Sequence, residues 1–157
     1  MSTTYLFPTF LMMHLTALVV FAGTTLVDYL AYLSLFKSFG QNERPEPLLK
    51  VMAKLPMVGG IGAAILILSG IGMMALTHGV FGEQLWFRIK FAVVILLILN
   101  GLLIGRRQSS KLRRIMAVSG LMLTAEISRI KSRLNRFYLL QLMLLLLIIF
   151  LSVFKFN

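Results

Sequence analysis

Four times along this chain, roughly twenty or more mostly apolar residues pass before polar side chains return, and a helix crossing a bilayer needs about that length. These stretches cover about residues 7–36, 55–77, 86–105 and 137–154. Only helices and closed barrels satisfy every backbone N–H and C=O inside lipid, and runs this long and unalternating predict helices. Tyr5 lies near one end of the first stretch and Tyr29 and Tyr32 towards the other, as in an interfacial aromatic belt. The segment KSFGQNERPEPLLKVMAK follows, with Gly40, Pro45 and Pro47 as helix breakers, so it predicts a polar loop.

The second stretch contains GGIGAAILILSGIG, in which Gly59, Ala63 and Gly70 fall within about 40° of one another at 100° per residue. Such a small-residue seam lets two helix backbones approach closely in lipid. After HGVFGEQ, Trp86 opens the third stretch. Beyond it, Leu112, Ile115 and Met116, and then Ile127, Ile130 and Leu134, recur at helical spacing. Helices three and four are therefore expected to project past the bilayer and meet as a hairpin near Gly120. The predicted fold is all-α: one integral membrane bundle of four antiparallel helices, covering residues 1–157.

Composition agrees, with 59% hydrophobic residues, 13% charged and a mean hydropathy of +0.91 over 157 residues. The net charge of +11 would suggest nucleic acid in a soluble protein, but here the excess flanks apolar runs, so the expected partner is anionic lipid headgroups and no nucleic acid. Nine of the 16 Lys and Arg fall between Arg106 and Arg136: Arg106, Arg107, Lys111, Arg113, Arg114, Arg129, Lys131, Arg133 and Arg136. The first loop adds Lys37, Arg44, Lys50 and Lys54, whereas the second loop and both termini carry only Lys155. The excess of Lys and Arg places loops one and three in the cytoplasm and both termini in the periplasm of a bacterial inner membrane. The absence of cysteine excludes disulfides, iron-sulfur clusters and thiolate metal sites. The N-terminal region has no basic n-region and its apolar run is long, which argues against a cleaved signal peptide.

Ionisable groups inside a span cost a few kcal/mol each and point to function. With bilayer centres near Val19 or Val20 and near Ile95 or Leu96, a rise of 1.5 Å per residue puts His14 and Lys90 both about 8 Å towards the outer face. His14 admits two readings, a ligand for a metal or haem iron or an interhelical hydrogen-bonding group. Lys90 either joins it or snorkels to the interface. His78 and Glu83, near the expected position of Arg88, suit a solvated outer mouth. Asp28, about 13 Å to the inner side, is placed to pair with Arg106 or Arg107 or to act as a relay carboxylate. Asn100 and Gln141, each about 7 Å inside the centre on consecutive antiparallel helices, predict an interhelical hydrogen bond.

MMHLTALVVFAG in the first helix and WFRIKFAVVILLILNG in the third resemble the group of small bacterial membrane proteins that includes the HemJ-type protoporphyrinogen oxidases and the CopD-like copper-resistance proteins. The matching positions are His14, Phe21-Ala22-Gly23, and Trp86 with Lys90, within roughly Leu11 to Gly105. The resemblance implies a haem b or related tetrapyrrole with His14 as axial ligand, Lys90 as second ligand or propionate partner, and Trp86 and Arg88 beside it. The chain departs from the HemJ pattern in carrying Asp28-Tyr29 after the glycine in place of Pro-Arg, and Asn100-Gly101 in place of a later histidine. Its His14 to Phe-Ala-Gly spacing is nearer the CopD-like members.

Three functions follow as expectations. The first is a haem- or tetrapyrrole-binding protein, with HemJ-like oxidoreductase activity as its enzymatic form. The second is a small transporter or ion-permeation subunit lined by His14, Lys90, Asp28 and Asn100, which with four spans and no inverted repeat requires a homo-oligomer. The third is a structural partner subunit. Hydrolytic motifs such as HExxH, GxSxG and the P-loop are absent, and only five acidic residues are available for acid-base work.

Overall fold

A computed structural model describes residues 3–39, 46–78, 80–101, 103, 110 and 124–154, and among these the only regular elements are helices. Four are α-helical: α1 (Thr3–Phe39), α2 (Glu46–Leu76), α3 (Leu85–Asn100) and α4 (Thr124–Val153). A short 3-10 turn, Val80–Glu83, joins α2 to α3. Three segments, Tyr5–Ser38, Pro47–Leu76 and Ser128–Val153, are long and apolar enough to cross a membrane. Their 34, 30 and 26 residues exceed the hydrocarbon core of about 30 Å at 1.5 Å per residue. The 16 residues of α3 span about 24 Å as regular helix, and beyond them Gly101 and Leu103 adopt a wider π-type turn.

The expected boundaries shift at the starts of α2 and α4. Residues 46–54, assigned from sequence to the polar loop, are helical. Pro47 sits in the first turn, where a missing N–H costs little, and Leu48 to Lys54 are mostly good helix formers. Pro56 lies inside α2, and spanning helices accommodate the lost rung locally. Thr124 begins α4 thirteen residues ahead of the expected start of the fourth span at Phe137. The hairpin turn expected near Gly120 lies outside the described residues, as do Arg106, Arg107, Lys111, Arg113 and Arg114.

The chain divides into two units, Met1–Arg88 and Ile89–Asn157. In the first, α1 and α2 pack antiparallel: Thr24 faces Gly59, Ala17 to Phe21 face Gly62, His14 faces Gly70 and Phe10 faces Gly72, one position falling as the other rises. A Cβ at Gly62 would lie 3.2 Å from the Phe21 nitrogen and 3.4 Å from the Ala17 carbonyl oxygen, so backbone meets backbone there. Gly59 and Gly70 belong to this seam as the spacing predicted, Gly62 is where backbone meets backbone, and the Phe10 ring lies closest of all against Gly72.

In the second unit, the buried residues of α4 are Ile130, Leu134, Phe137, Tyr138, Gln141, Leu145, Ile148 and Leu151, which recur every three to four positions and form one stripe. On α3, Val93, Leu97 and Asn100 are buried at the same spacing. Hydroxyl groups within the helices bond back to their own backbone: Thr9 to Tyr5, Thr24 to Val20, Thr25 to Phe21 and Ser152 to Ile148, at 2.6–2.8 Å. No hydroxyl among these four needs water.

Candidate functional site

His14 is half-buried on the α2-facing side of α1, and its Nδ1 lies 2.9 Å from the hydroxyl of Ser69. Ser69 is only 1% exposed, and its own hydroxyl donates to the Ile65 carbonyl at 2.6 Å. With that proton committed to the backbone, the serine oxygen accepts and His14 Nδ1–H donates. In the neutral tautomer with the proton on Nδ1, the ring's lone pair is on Nε2. This tautomer and this kind of partner are what a ligating histidine uses, because a hydrogen bond on one ring nitrogen orients the other and raises its basicity. A histidine so oriented is a donor type that a haem iron would take, and the iron would supply redox chemistry there. Gly70 faces the ring: a Cβ there would lie 3.5 Å from His14 Cε1 and 3.8 Å from Nδ1, ordinary van der Waals contact. Ser69 escaped the sequence reading although it stands beside Gly70 in the glycine seam.

Trp86 and Arg88 are held by the turn before α3. The indole Nε1 of Trp86 donates to Gln84 Oε1 at 2.5 Å, and its ring packs edge-on to Phe87 with centroids 5.8 Å apart. Arg88 Nε donates to the Gly82 carbonyl at 3.0 Å. His78 is exposed and takes a left-handed conformation, φ 51°, where α2 stops. There its N–H reaches the Ala75 carbonyl at 3.2 Å while Thr77 N–H keeps a helical bond to Met73 at 3.1 Å. Glu83 is exposed at the end of the 3-10 turn. Asp28 is half-buried on α1, and the arginines expected to pair with it lie outside the described residues.

In the second unit, Lys90 is half-buried on α3. Asn100 Nδ2 donates to Gln141 Oε1 at 2.8 Å and approaches the Phe137 carbonyl at 3.4 Å. Both amides are buried, 6% and 4% exposed, and the depth count had paired them. Asn100 Oδ1 is buried with no hydrogen-bond partner.

Among the described residues, no three His, Asp or Glu side chains come together as a metal site. A scan against protein-family models, a search of curated proteins and a search of solved structures each return no match.

Proposed function

We propose that this is a polytopic inner-membrane protein that holds a b-type haem through His14. The observation that carries the proposal is the His14 Nδ1···Ser69 hydrogen bond, which orients the imidazole within the α1–α2 seam. The resemblance of His14 and Phe21-Ala22-Gly23 to the HemJ-type and CopD-like proteins supports the same residue. When bound, haem would supply one-electron chemistry, and a HemJ-like oxidoreductase activity is the enzymatic form of the proposal. The chain's own part is to hold the imidazole by Ser69, to bring α2 close through Gly62 and Gly70, and to keep water from the ring.

Both termini face the periplasm on this reading, and the basic segments meet anionic headgroups in the cytoplasmic leaflet. The test is the absorption spectrum of detergent-purified protein with haemin added. A Soret band that His14→Ala abolishes supports the proposal, and no band in the unaltered protein refutes it.

A second reading is favoured by the two interhelical polar bonds, His14 with Ser69 and Asn100 with Gln141, which also serve as helix locks in a structural partner subunit. On that reading His14→Ala lowers thermal stability and changes no spectrum.

A further inference from the structure

On α4 the arginines Arg129, Arg133 and Arg136 fall within about 60° of one another at 100° per residue, and all three are exposed. The same line continues down the helix through Leu140, Met143 and Leu147, which are 46%, 68% and 41% exposed. The buried stripe from Ile130 to Leu151 is centred about 115° away around the helix, so this line is a separate, outward surface. Lys131, also exposed, lies about 160° from the arginine line. One outward line of α4 thus changes abruptly from three guanidinium groups to bare apolar side chains, and the change falls at Arg136, where the apolar span begins.

Along the axis, Arg129 to Arg136 cover about 10 Å, close to the depth of a headgroup layer plus the reach of an arginine side chain. A planar guanidinium binds phosphate oxygens in pairs, and the alkyl stem lies along apolar surface. We infer that this line is a binding site for one class of ligand, an anionic phospholipid. Its phosphate sits among Arg129, Arg133 and Arg136 and its acyl chain lies along Leu140, Met143 and Leu147. Charge complementarity selects an anionic headgroup, and the continuous apolar line below selects a lipid over a free phosphate.

This inference rests on the reading of α4 as a membrane span and sharpens the anionic-lipid partner proposed above to three named residues. It is independent of the haem proposal. Alkaline carbonate extraction of the unaltered chain tests the membrane reading by itself.

The lipid site is tested by native mass spectrometry of the full chain in detergent, with dioleoyl phosphatidylglycerol, dioleoyl phosphatidylcholine or inorganic phosphate as probes. Phosphatidylglycerol should remain bound to the unaltered protein, and its affinity should fall about fivefold for each of Arg129→Gln, Arg133→Gln and Arg136→Gln. Lys131→Gln should retain it, as should the charge-preserving Arg133→Lys in larger part. Equal retention of phosphatidylcholine, equal loss in Lys131→Gln, or displacement of the lipid by millimolar inorganic phosphate would each overturn the site.

Discussion

A methyl group added at Gly62 would press on the Phe21 nitrogen, the Val20 side chain and the Ala17 carbonyl at 3.2–3.4 Å, two of them backbone atoms that cannot rotate away. Gly62→Ala should therefore cost about 1–3 kcal/mol, the range for overpacking, and lower the melting temperature in detergent. Gly60→Ala is the control, since nothing lies within 4 Å of its Cβ and alanine is the better helix former. At His78 the argument runs the other way. Its φ of 51° is left-handed, costly for a residue with a Cβ, so His78→Gly should raise the melting temperature by an amount corresponding to about 1 kcal/mol. His14 and Asn100 were legible in the sequence because each is a lone polar group in an apolar run. Ser69 was not, because serines are routine in spanning helices and only its partner distinguishes this one.

At the scale of elements, hydrophobic length found the helices, while their ends depended on local chemistry that length does not carry. Pro45 and Pro47 read as breakers, yet a proline in a first turn starts a helix as readily as it ends one, and α2 begins at Glu46. The π-type turn at Gly101 and Leu103 has no signal in apolar periodicity and cuts the regular part of α3 at Asn100. The amide pair was found because depth is linear in residue number within a straight helix, which put Asn100 level with Gln141. A double-mutant cycle with Asn100→Ala and Gln141→Ala, read by thermal unfolding in detergent, should give a coupling of about 0.6 kcal/mol, at most about 1.7. The bond sets register more than stability, and additive single effects would contradict it.

For the molecule as a whole, three helices long and apolar enough to cross a membrane stand beside exposed Lys37, Lys50, Lys54, Arg129, Arg133 and Arg136. The proposed orientation follows from these charges, and the absence of native cysteine makes it directly measurable. In intact spheroplasts a membrane-impermeant thiol reagent should label Glu83→Cys and spare Lys50→Cys, and the reverse pattern would invert the topology. The central claim is that Ser69 holds His14 as a haem ligand. It is tested most directly by a haemin titration of the purified unaltered protein beside Ser69→Ala and His14→Ala, followed at the Soret band. The account predicts saturation at one haem per chain, about tenfold or more weaker binding in Ser69→Ala and no specific binding in His14→Ala. Indistinguishable titrations for all three proteins would contradict it.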